Sequence, residues 1–195
     1  MLLPALSAAR ARARAANCVA NLKQLGLMLE QYTSMHDGQL PKMQDTVNYQ
    51  YFWPHYLIRN GQPTAVKQDY HLWKLLSCPS ASGDQEIENT YNQYYQNGRE
   101  NFSYGMNSLL WDKKISVIKG DPSSAAVLLE NTKTTSPFKD CGNYWYDHDR
   151  YPTLVLATYH NNTANILFGD YHVAGFVSNP VSYDEQDKII RQALQ

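Results

Sequence analysis

A chain of 195 residues with 43% hydrophobic content can bury a sizeable core, and it fits one domain or one domain with an appendage. Its 17 Lys and Arg against 18 Asp and Glu leave a net charge of -1, which excludes a global field drawing it to nucleic acid or an anionic membrane. Fifteen Tyr and four Trp beside only 18% charged residues favour an extracellular surface chemistry. The sequence lacks the run of about 18 apolar residues that a membrane span needs, and it has no charged-then-apolar signal layout.

From Ala5 to Met35 there is no proline and one glycine, Gly26, while Ala, Leu, Arg, Gln and Lys dominate, so the first element is one long helix. Ala8, Ala11, Ala15, Cys18, Leu22, Leu25, Leu29 and Tyr32 recur in steps of three and four and draw a single stripe along it. The stripe changes character midway. Its leucine half, Leu22, Leu25, Leu29 and Tyr32, offers area for a core. Its alanine half, within AARARARAA at residues 8–16, offers little at about 25 cal/mol per Å² and is expected to project from the globule or meet a partner. The opening MLLPAL reads as the tail of an apolar segment. The helix is expected to stop at HDG, with Gly38 in the left-handed position after its end and Pro41 preventing a restart.

Beyond this point short elements are expected. Trp53 to Ile58 and Tyr70 to Leu76 read as short helical or irregular segments. QNGRE and KKISVIKGDPSS carry turn signals, and AAVLLE reads as a buried strand. ANILF and HVAGFV flank Gly-Asp-Tyr as a hairpin, in which Gly169 is expected to take the positive φ. After Pro180, YDEQDKIIRQALQ reads as a terminal helix. The resulting organisation is a helix over 1–37 and an α+β head over 38–195.

Several blocks carry a family resemblance. LLPALSAARARARAANCVANLKQLGLMLEQYTSMHDGQLP resembles the post-membrane part of the N-terminal helix in type IV pilin-like proteins, the prepilin-type families that include the pseudopilins of type II secretion. Cys-Pro-Ser at Cys78, SYGMN at Ser103 and HNNTANILFGDYHV from His160 are similar to that family's later blocks. The resemblance implies a long N-terminal helix packed on an antiparallel sheet and an apolar membrane segment preceding the sequence. It also implies an extracytoplasmic location and self-assembly with identical or related subunits, alongside secretion or pilus machinery. In that setting Leu22 to Tyr32 would pack on the sheet, and Ala8, Ala11 and Ala15 would form an assembly surface.

Chemistry-bearing residues are sparse. Three cysteines allow three single pairings; the resemblance favours a Cys18–Cys78 disulfide and leaves Cys141 over. Asp140, Asp147 and Asp149 in KDCGNYWYDHDRY could gather oxygens around calcium, which type II secretion pseudopilins bind in a C-terminal loop, although EF-hand spacing is missing. His160 and His172 belong at opposite ends of the expected hairpin, so a zinc site shared by these two is disfavoured, and with it a metal-dependent hydrolase. No Ser-His-Asp or Cys-His order and no phosphate loop is recognisable, so no catalytic residue is assigned. The clusters YFWPHY and NYWYDHDRY leave a secreted carbohydrate- or protein-binding module as the alternative to a filament subunit.

Overall fold

The computed structural model describes residues 2–42, 53–58, 74–80, 103–107, 109–130, 145–146 and 159–177, with Lys188 and Gln192. The chain is α+β. Helix α1 runs from Leu2 to Met35, so it takes in Pro4, whose missing N–H has no partner to lose in a first turn. Helix α2 is the single short segment Trp53–Ile58. Five strands follow: β1 (Tyr104–Asn107), β2 (Ala126–Glu130), β3 (Trp145–Tyr146), β4 (Thr163–Phe168) and β5 (Val173–Val177). They form one sheet in the order β3-β1-β2-β4-β5. The expected antiparallel pairing holds for β1 with β2, β2 with β4 and β4 with β5, whereas β3 joins β1 in parallel.

The leucine half of the helix does what its stripe predicts. Cys18, Leu22, Leu25, Leu29 and Tyr32 are buried and share one core with Tyr104 and Met106 of β1, Val127 and Leu128 of β2 and Leu167 of β4. Gly26 lies where the helix presses on β4, and a Cβ there would come within 2.9 Å of Leu167 Cδ1. The hydroxyls of Thr33 and Tyr171 are hydrogen-bonded at 3.1 Å on the same face. The alanine half differs: residues 4–14 are exposed and Ala15 is only half-buried. No helix among the described residues is long and apolar enough to cross a membrane.

The helix end departs from expectation in one detail. Gly38 N–H donates to the Thr33 carbonyl at 2.8 Å, the six-to-one closure in which the preceding residue takes the left-handed position. That residue is Asp37, at φ 52, and Gly38 continues the left-handed turn at φ 76. Asp37 pairs with the Lys114 ammonium. A bridge between Gln39 and Lys114 then ties the helix exit to the segment before β2.

The β4–β5 hairpin corrects a second expectation. Its connection is a turn in which Tyr171 N–H donates to the Phe168 carbonyl and Phe168 N–H to the His172 carbonyl, both at 2.9 Å. The left-handed residue that completes this loop is Tyr171, at φ 65, and Gly169 is absent from the positive-φ set. Gly169 is needed for space instead, since a Cβ there would lie 2.8 Å from Ile118 Cδ1 and 3.2 Å from the Pro122 carbonyl. The terminal helix expected after Pro180 lies outside the described residues except at Lys188, which is α-helical, and Gln192, which has 3-10 conformation. QNGRE and most of Tyr70–Leu76 lie outside them as well.

The two halves of α1 should respond differently to substitution. Leu25 is 1% exposed, and Leu25→Ala is expected to lower stability by about 2 to 5 kcal/mol in urea denaturation. Ala11→Trp, on the exposed half, should leave the melting temperature of the same chain within about a degree or two of wild type, because a surface change away from any contact alters stability by about 0.5 kcal/mol at most.

Candidate functional site

One sheet irregularity decides what gathers at the middle of α1. In β2 the register against β4 shifts between Ala126, opposite Phe168, and Leu128, opposite Leu167, so Val127 is an extra residue in the ladder. Strict alternation would put Val127 and Leu128 on opposite faces; the bulge puts both in the core under the helix, while Ala126 and Leu129 join Ala164 and Ile166 on the far face. Glu130, two residues beyond Leu128, therefore also faces the helix. It is fully buried.

Three polar groups meet its carboxylate. The Asn165 backbone N–H donates to Oε2 at 2.7 Å, and the Asn165 side-chain amide donates to Oε1 at 3.1 Å. His160 Nε2 stands 3.0 Å from the same Oε1. His160 sits in the turn that leads into β4, where its N–H and carbonyl exchange hydrogen bonds with Thr163. Two left-handed residues, Asn161 at φ 51 and Asn162 at φ 60, carry the chain around that turn.

The other side of His160 Nε2 faces sulfur. Cys78 Sγ lies 3.4 Å away, and Cys78 is joined to Cys18 in a disulfide with Cα atoms 5.0 Å apart. Helix α1 supplies Cys18, and residues 74–80 supply Cys78. The latter segment is held on one side by Asn21, whose amide donates to the Ser77 carbonyl at 3.1 Å, and on the other by Ser103, whose N–H donates to the Leu76 carbonyl at 2.9 Å. Tyr104 roofs the cluster and donates its hydroxyl to the Cys18 carbonyl at 3.3 Å. One ligand atom from each of Cys18, Cys78, Glu130 and His160 lies within 4.8 Å of every other.

Burial governs the ionisation here. Removal from water pushes the Glu130 carboxyl above its ordinary range, a push only partly offset by the hydrogen bonds from Asn165 and by the His160 ring. The Tyr104 phenol is driven upward chiefly by burial and next by the Glu130 charge, so it remains a neutral donor.

The residues singled out from sequence fall into three groups. Cys18 and Cys78 are joined, as the resemblance implied. His160 and His172 are separated by the hairpin, as expected: His160 belongs to the buried cluster, while His172 pairs with Asp170 at the turn, at 2.5 Å, and stacks on Phe168. The calcium candidates Asp140, Asp147 and Asp149 lie outside the described residues, as does Cys141. Of YFWPHY, Trp53 and Tyr56 are buried in the core, so those rings are packing residues and not a binding face. Glu130 and Asn165 were not anticipated; the available signal was an acid closing an otherwise apolar strand, AAVLLE, which solvent exposure at the strand end explains equally well. Comparison with protein-family models, with curated proteins and with solved structures yields no match for this chain.

Two measurements probe the cluster. The disulfide links residues 60 apart in sequence, and its reduction in chelator-treated buffer should lower stability by about 2 to 5 kcal/mol in urea denaturation, because the unfolded chain regains the freedom the link removes. The second concerns pH. With its folded pKa raised, Glu130 holds a proton to higher pH in the native chain than in the unfolded one, so its contribution to stability is present below the ordinary carboxylate range and lost as pH rises through the folded value. Wild type should therefore lose stability relative to Glu130→Gln on going upward from about pH 4 to 5. Parallel melting curves for the two proteins across that window would contradict this assignment.

Proposed function

We propose that this chain is a structural subunit of a pilin-like or pseudopilus filament, acting by self-assembly in secretion or surface adhesion on the extracytoplasmic side of a membrane. The observation that carries the reading is the division of α1. Its second half is fastened by the leucine face and by Cys18, while residues 4–14 are exposed and present small side chains at Ala8 and Ala11. A helical arm this exposed gains little in water from propensity alone, so its stability calls for a partner. Small residues allow close helix approach, which suits packing of the arm against the same arm of neighbouring copies. Leu6, 49% exposed, adds an apolar contact on the arm. A membrane anchor preceding the sequence, identical or related subunits around it and an assembly machinery are the partners this reading requires. Its role is mechanical, with no catalytic residue assigned.

The test uses the full-length protein in its own cells. A photo-cross-linking amino acid at Ala11 is expected to capture a second copy of the chain, and Ala11→Trp is expected to abolish filaments, because a bulky ring overpacks a close crossing. Recovery of only monomer from the cross-linker, together with normal assembly of the Trp variant, would rule out the arm as an assembly surface.

A further inference from the structure

We propose that the pocket formed by Cys18, Cys78, Glu130 and His160 is a zinc site in the reduced chain, so that the disulfide and the ion compete for the same two sulfurs. The donor set is a borderline-soft one: two thiolates, an imidazole and a carboxylate, the ligand types and the number that a closed tetrahedral zinc site takes. Zinc bonds of about 2.0 to 2.3 Å place neighbouring ligand atoms about 3 to 4 Å apart in a tetrahedron. The donors already approach that spacing: His160 Nε2 is 3.0 Å from Glu130 Oε1 and 3.4 Å from Cys78 Sγ, and the whole set lies within 4.8 Å. The bond between the sulfurs must break, and the hydrogen bond between His160 Nε2 and Glu130 Oε1 must give way to two metal bonds.

Three further features suit a closed site. Cys18, Cys78 and Glu130 are buried, and the His160 side chain is 8% exposed, so bulk water is kept from the ligands. Glu130 is oriented by two donors from Asn165, the kind of outer contact that fixes a ligating carboxylate. The four ligands come from α1, the 74–80 segment, the end of β2 and the turn before β4, so an ion would join the same elements the disulfide joins.

The balance is simple. A small dithiol reduces the Cys18–Cys78 bond to two thiols and is itself oxidised to a cyclic disulfide. Zinc then binds both sulfurs as thiolates, with their two protons released to solvent, while His160 offers the Nε2 lone pair with its proton on Nδ1. A small-molecule disulfide such as oxidised glutathione takes the two electrons back and leaves as two thiols with two protons from solvent, which expels the ion and restores the Cys18–Cys78 bond. In a reducing compartment the chain would carry zinc, and in an oxidising one the disulfide.

The experiment uses the 195-residue chain carrying Cys141→Ser, so that no third thiol contributes. Reduced and oxidised samples are dialysed against zinc, and bound metal is counted by mass spectrometry. Cobalt then replaces zinc to report tetrahedral thiolate coordination by its near-ultraviolet charge-transfer and visible bands. One ion per reduced chain is expected, with none on the oxidised chain, and His160→Ala and Glu130→Ala should each weaken binding by about 10-fold or more. If the reduced chain is unfolded without metal, zinc should restore its circular dichroism. Equal zinc on reduced and oxidised chains would overturn the proposal. So would a cobalt spectrum without thiolate bands, or a reduced chain that neither binds zinc nor refolds with it.

Discussion

Everything that is ordered around α1 depends on where its burial begins, and that boundary is Cys18. From residue 4 to residue 17 the helix is exposed apart from the half-buried Ala15; from Cys18 onward one residue in each step of the stripe is buried to within a few per cent. The leucines supply the apolar area, but area alone would let the helix slide or fray from its upper end. A covalent link to Cys78, placed at the first buried position of the stripe, fastens the helix to the 74–80 segment, which the Ser103 N–H in turn ties to the start of β1. Gly26 performs the matching task lower down, since the absence of its side chain lets the backbone settle over Leu167.

The sheet contributes a polar end to this otherwise apolar face, and a single extra residue makes it possible. With no bulge at Val127, Glu130 would fall on the opposite face with Leu129's current neighbours and leave Asn165 without its carboxylate partner. The bulge thus couples two outcomes: an additional apolar side chain under the helix and a buried acid beside the disulfide. Tyr104 reaches the Cys18 carbonyl from β1, so the central strands β1, β2 and β4 all contribute to the same pocket. The pocket is part of the folding core, which explains why its side chains are buried.

Much of the helix was legible in the sequence because its period is long and its residues are few in kind. The stripe from Leu22 to Tyr32, the exposure of Ala8 and Ala11, the stop near Gly38 and the buried strand AAVLLE follow from spacing and propensity alone. The cysteine pair was not legible that way: three thiols leave three pairings open, and only the family resemblance chose among them. What escaped was set by backbone detail beneath the resolution of a pattern. A period-two reading cannot place Glu130, because one inserted residue reverses the parity of every side chain after it. Glycine marked the left-handed sites only in part: Gly38 is left-handed, but Asp37 takes the position directly after the helix, and in the hairpin Tyr171 takes it while Gly169 does not.

The identity of residue 130 follows from the groups around it. A buried carboxylate is costly, and an amide of the same shape avoids the charge. The Asn165 backbone N–H and the Asn165 amide both donate, and His160 Nε2 donates as well when it carries its proton. An ionised Glu accepts from all three; a Gln would turn its own amide hydrogens toward at least one donor and leave a buried N–H unsatisfied. Burial raises the pKa of Glu130 while those donors lower it, and the net upward shift shows that desolvation is the larger effect. The fold therefore retains an acid that its own donors do not fully compensate, next to a ring nitrogen and two sulfurs.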